Sequence, residues 1–200
     1  MYAITSAPSR HSLRRREGVS VTGPAKIMLI RHAEKSVGPA PAGVNENGDV
    51  DKHSLIVRGW QRAGALVDFF ENPTRPGIST PTTIFAATIS GDPTIDPVDS
   101  KSLRPAETVG PLVAKSGAIF RNDIPVGAEG QVIAAIKTCR GVVLVAWEHK
   151  RIPTIAAGFI ANPPAWGDRF DAVWILDQQP DGSYVISIVN QNLLSGDQSS

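Results

Sequence analysis

Cysteine is nearly missing from this 200-residue chain: Cys139 stands alone, which rules out an intramolecular disulfide and fits a reducing, cytoplasmic setting. Late in a helical stretch, it reads as a small buried apolar residue before it reads as a reactive thiol. Long apolar runs are lacking too, and nothing approaches the roughly 18 residues of a membrane span. Neither sign of charge dominates. Twenty Lys and Arg against 19 Asp and Glu leave a net charge of +1, which argues against a broad nucleic-acid surface and against general attraction to membranes. Any preference for anions must therefore be local. Histidine is scarce as well: His11, His32, His53 and His149 are the whole set, none in paired ligand spacing, so neither a metal nor another cofactor is expected.

What is present is 42% apolar and 20% charged residues, the balance of one soluble domain with a sizeable core. Residues 1–24 have no sustained periodicity and carry Arg10, Arg14, Arg15 and Arg16 against one acid, Glu17. They share a little with organellar transit segments but lack the apolar centre of a secretory signal, and are expected to form a flexible basic arm. The folded domain is expected over 25–193, with a loose polar tail over 194–200.

The chain is organised around Lys26 to Ser36, in which Ile27 to Ile30 run without interruption into Arg31-His32. A short run of this kind suits a parallel strand buried on both faces, and its carboxyl end would open into the crevice where such sheets bind ligands. An Arg beside a His suits a phosphoryl group: the guanidinium offers a fixed fork to the oxygens and a neutral imidazole nitrogen can attack phosphorus. The pattern returns later. Val142 to Trp147 is a second fully apolar run, ending in Glu148-His149-Lys150-Arg151, so two buried strands each end in a His flanked by cations. The bland alternative for His149 is a strand-end histidine bonded to backbone.

Between the two runs, Val37 to Asp51 is a Gly-, Pro- and Asn-rich loop expected over the site. A helix follows, with Gly59, Ala63, Leu66, Val67 and Phe70 on one face, Arg58 and Arg62 as surface charges, and Asn72-Pro73 as its stop. Thr83 to Thr88 reads as a strand. Gly91 to Asp99, with Asp92, Asp96 and Asp99, reads as an ordered acidic loop whose spacing matches no calcium pattern. A helix from Arg104 to about Lys115 is expected to kink at Pro111, and another spans Glu129 to Cys139 with Val132, Ile133 and Ile136 inward. Ala118 to Arg121 is a short strand, Ile152-Pro153 opens a helix to Ile160, and Phe170 to Asp177 and Tyr184 to Asn190 form an antiparallel closing pair.

Leu29-Ile-Arg-His-Ala-Glu34 resembles the signature that opens the histidine phosphatase superfamily, in its smaller branch. Ser100-Lys-Ser-Leu-Arg104-Pro-Ala-Glu-Thr108 is similar to its second-Arg segment, Ser-x-x-x-Arg-Ala-x-x-Thr, with Pro105 where Ala is usual, and His149 falls where the second His belongs. The resemblance implies a phosphoglycerate mutase-like fold, a three-layer α/β/α sandwich around a mostly parallel sheet. It implies that Arg31, Arg104 and His149 cradle a phosphoryl group, that His32 is the nucleophile, and that no metal takes part. It also implies a general acid about two dozen residues beyond the second Arg, where Glu129 lies, with Glu148 as its competitor. The expected activity is phosphatase action on a small phosphomonoester. A protein phosphohistidine phosphatase is the next reading, and a non-catalytic phosphate-binding scaffold the third.

Overall fold

The computed structural model describes residues 22–39, 41–89 and 102–198. Strand β1 (Lys26–Arg31) explains the sheet around it, because Ile27 to Ile30 are all wholly inaccessible. Successive side chains of a strand point to opposite faces. Ile27 and Leu29 therefore enter one core and Met28 and Ile30 another. A strand apolar on both faces has to lie inside a sheet covered twice.

The cover is built in chain order from α1 (Val57–Glu71), β2 (Thr83–Ala86), α2 (Arg104–Lys115), β3 (Ile119–Arg121), α3 (Glu129–Thr138), β4 (Val142–Trp147), α4 (Ile152–Ala156), β5 (Ala172–Gln178) and β6 (Tyr184–Asn190). The strand order is β3-β2-β4-β1-β5-β6. The first four strands are mutually parallel and β5 and β6 are antiparallel to their neighbours. Leu66 and Phe70 of α1 join Val109 and Leu112 of α2 over Met28 and Ile30. Val132 and Ile136 of α3 join Ile152 and Ile155 of α4 over Ile27 and Leu29. This is the expected three-layer α/β/α arrangement.

Register sets the site. Arg31 lies opposite Trp147 and the His32 amide donates to the Trp147 carbonyl at 3.0 Å, so β1 and β4 end side by side and release their His-bearing segments together.

Several expectations are corrected. Arg62 is only 1% exposed, because a buried carboxylate cluster encloses it; Arg58, at the rim, pairs with Glu34 of the same cluster. The tail expected to hang loosely from Leu194 is docked as far as residue 198: the amides of Leu193 and Leu194 donate to the Asp197 carboxylate and that of Gln198 to Asp171. The helix after β4 ends at Ala156 rather than Ile160, and a tight turn follows. Gly158 lies in that turn, where a Cβ would come within 2.6 Å of Ile133 Cγ2. The basic arm up to residue 21 and the acidic loop Gly91 to Asp99 lie outside the described residues.

Candidate active site

His32 follows β1 directly and is 4% exposed. Its Nδ1 lies 2.7 Å from the Ala33 carbonyl oxygen. A carbonyl can only accept, so Nδ1 carries the proton and Nε2 is the nitrogen with a lone pair. Burial first, then the backbone bond acting the other way, then the Arg31, Arg104 and Lys35 charges set its pKa, which falls to about 3. The imidazole is neutral at any physiological pH. Its acceptor is itself held: the Ala33 amide donates to Thr108 Oγ1 at 2.8 Å, and the Thr108 hydroxyl donates to the Arg104 carbonyl at 2.6 Å. Thr108 lies four positions after Arg104, one turn of α2, so that turn ties the second Arg to the peptide that orients His32.

Arg104 opens α2, and Pro105 suits the first turn because its missing donor has no intrahelical acceptor there. The guanidinium donates to the carbonyls of Ser54 at 3.2 Å and of Lys52, and to Ser102 Oγ at 3.3 Å. The loop before α1 therefore aims it. His32, Lys35, Ser102, Arg104, Pro105, Val126 and Glu148 line one cavity of about 20 Å³.

Arg31 and His149 are not among the residues that line this cavity. Arg31 Nη1 donates to the Asp168 carbonyl at 2.5 Å, its guanidinium carbon sits 3.9 Å from the centre of the Phe170 ring, and its buried Nε has no partner. Burial pulls its pKa down, against the raising fields of Asp168, Glu148 and Glu34. His149 is lowered to about 4, by burial first and then by Arg31, Lys35 and Lys150. Its Nδ1 is 2.8 Å from Glu148 Oε1, yet that nitrogen has no hydrogen-bond partner, so the two are close without being aligned. With a neutral imidazole the contact is no ion pair.

The two candidate acids part company. Glu148 lines the cavity, whereas Glu129 accepts from the Trp147 indole at 3.0 Å and from the Gly127 amide at 2.9 Å. Glu129 thus ties the turn before α3 to a core tryptophan and is not among the residues lining the cavity. Sequence reasoning missed Lys35, which lines the cavity three residues after His32; its place within the opening motif was the available signal. Thr108 stood in the second motif without a role. Among the described residues no group of three His, Cys, Asp or Glu side chains could hold a metal ion. No helix among them is long and apolar enough to cross a membrane.

Two adjacent parallel strands, each followed by a histidine beyond its carboxyl end, lie within a β3-β2-β4-β1-β5-β6 sheet covered on both faces, a phosphoglycerate mutase-like fold. Among solved structures, the protein histidine phosphatase SixA complexed with tungstate is similar, with a TM-score of 0.51 and 10% identity, over 83% of this chain and 97% of that one. The putative phosphohistidine phosphatase SixA from Agrobacterium tumefaciens matches at TM-score 0.42 and 17% identity, over 78% of this chain and 93% of that one. No family model and no curated protein matches the sequence. At such identities the first likeness speaks for the fold, and what the site does has to be argued from its own residues.

Proposed function

We propose that the protein is a phosphatase that forms a phosphohistidine on His32 Nε2, and that it takes its phosphoryl group from a phosphohistidine on another protein. The observation that carries this reading is the pairing of a buried, neutral, Nδ1-protonated imidazole with two cationic side chains, Arg104 and Lys35, around one cavity. Phosphate oxygens repel an incoming nucleophile, and cations placed in advance remove that repulsion without reorganisation. In the first step the Nε2–P bond forms as the bond to the leaving nitrogen breaks; the substrate imidazole, already protonated on its other ring nitrogen, departs neutral and needs no acid. In the second, water attacks phosphorus, the Nε2–P bond breaks and inorganic phosphate departs. Arg31 helps to hold His32 neutral and adds to the positive field, and His149 stands beside Glu148 as a neutral imidazole able to hydrogen-bond a phosphoryl oxygen. The cations come from the chain, so the proposed reaction calls for no metal.

What favours a protein substrate is the likeness in fold to a protein histidine phosphatase. A small phosphomonoester remains the second reading, because Glu148 at the cavity wall could protonate an alkoxide leaving group, which phosphohistidine does not require.

The experiment is turnover by purified protein of a histidine-phosphorylated protein, an aryl phosphate and a panel of phosphorylated metabolites, with and without a chelator. Release of phosphate from the first, an acid-labile phosphoenzyme and loss of both in His32→Ala are the expected results. Absence of turnover on every substrate would leave the phosphate-binding scaffold as the reading.

A further inference from the structure

Glu34, two residues beyond His32, is held by a network that ends at the last described turn of the chain. Its carboxylate accepts from Arg62 Nη2 at 2.8 Å and from Arg62 Nε at 3.1 and 3.2 Å, and from Arg58 Nε at 3.2 Å. The other edge of Arg62 donates to both Asp197 oxygens, at 2.7 and 3.0 Å, and to Gln191 Oε1 at 2.8 Å. Asp197 in turn accepts the amides of Leu193 and Leu194, and the Ser195 carbonyl accepts from Arg58 Nη2 at 2.6 Å. Arg62 and Asp197 have side chains only 2% and 3% exposed, so this is a desolvated network and not a surface pair.

The backbone of Glu34 is gripped as firmly as its side chain. The Ile56 amide donates to its carbonyl at 3.1 Å, and a Cβ on Gly59 would come within 2.6 Å of that oxygen, so α1 rests directly on the peptide. The Ala33 carbonyl, which accepts from His32 Nδ1, belongs to the peptide unit joining Ala33 to Glu34. Whatever holds Glu34 on one side, and Thr108 on the other, decides where that carbonyl points.

Resting on the reading of His32 as nucleophile, we infer that Arg62 and Asp197 are positioning residues: the end of the chain, clasped through Arg62 onto Glu34, fixes the Ala33 carbonyl and with it the His32 tautomer that leaves Nε2 free to attack. Small displacements of a reacting group cost rate steeply. A buried guanidinium with one carboxylate removed also loses charge balance and shifts the other carboxylate.

The test is Asp197→Asn, read by turnover of the histidine-phosphorylated protein and by nitrogen NMR of the His32 imidazole. The inference expects a folded variant whose kcat falls about tenfold while KM stays within about twofold. It also expects a His32 spectrum that passes from a single Nδ1–H form to a mixture of tautomers. A folded variant with an unchanged tautomer overturns it, whether the rate is unchanged or falls. If Asp197→Asn does not fold, Arg58→Gln at the half-exposed rim of the clasp carries the same two readouts, with a fall of about threefold expected. The NMR readout needs no substrate. Failure of the phosphatase reading, seen as no turnover by the unaltered protein, is thus distinct from failure of the clasp, seen as a tautomer indifferent to Asp197.

Discussion

His32 and His149 follow the ends of neighbouring parallel strands, one position apart in register, yet their surroundings differ. His32 is wholly enclosed, its Nδ1 committed to a carbonyl that Thr108 and Glu34 hold on either side. His149 is partly open, and its Nδ1 lies beside a carboxylate without bonding to it. Both imidazoles are pushed toward neutrality, to about 3 and about 4, and in both the leading cause is burial. On the reading proposed above, the one with a fixed tautomer attacks, and the one without donates or accepts as the phosphoryl group passes. A nucleophile needs a single protonation state and a single direction, whereas a group that binds oxygens tolerates some freedom.

The sharpest way to break this contrast is to remove each ring in turn. His32→Ala is expected to lower kcat by about 10⁴ or more and to abolish the acid-labile phosphoenzyme, since no other group replaces a nucleophile. Replacing His149 by Gln should cost about 10²-fold and leave the phosphoenzyme detectable; a phosphoenzyme that survives in the first variant and vanishes in the second would reverse the roles. Arg104→Ala should cost about 10² to 10³ in kcat, the range for loss of one preorganised donor to a developing charge. Glu148→Gln sharpens the substrate question. A fall of about 10²-fold on alkyl phosphates with a change within about twofold on phosphohistidine is expected, because only the alkoxide needs the acid. Equal falls on both would mean that Glu148 acts through His149 instead.

Acid sensitivity gives a smaller effect with a definite sign. Both imidazoles have folded pKa values below the unfolded value of about 6.5, so between those values the unfolded chain binds more protons and stability rises with pH. Thermal stability should hold above about pH 6.5, decline as pH drops toward 4 while unfolded histidines gain protons that His32 and His149 refuse, and level off for these two groups near 3. Removing His32 should flatten this slope more than removing His149, which monitoring Tm against pH would reveal. A slope unaltered by either substitution would assign acid sensitivity to the Arg62–Asp197 network instead, since Asp197 is held down at about 2 by Arg62 and two backbone amides despite its burial.

Much of this architecture was legible from local pattern. The two apolar runs became β1 and β4 because a strand with no polar face has only one place to go. Helix α2 was readable from Arg104 and Pro105, and β6 from its turn. Reading failed where a charged residue was judged by its type alone. Arg62 looked like a surface cation because arginine is usually exposed, but Glu34 on one side and Gln191 with Asp197 on the other come from two distant stretches to surround it. Glu129 had a suitable offset along the chain for an acid, and the fold uses it for Trp147. Lys35 escaped notice because a loop residue's direction is not periodic.

Alternation, apolar run length and helix-start chemistry act between near neighbours, so a single chain displays them: strand ends carrying Arg31-His32 and Glu148-His149, and Arg104 at a helix start. Which carboxylate reaches the cavity, which nitrogen of His32 keeps its proton and what the turn at Ser195 and Asp197 grips depend on groups up to 137 positions apart. Such pairings arise only when burial removes water and forces each polar atom to find a partner in the packed protein.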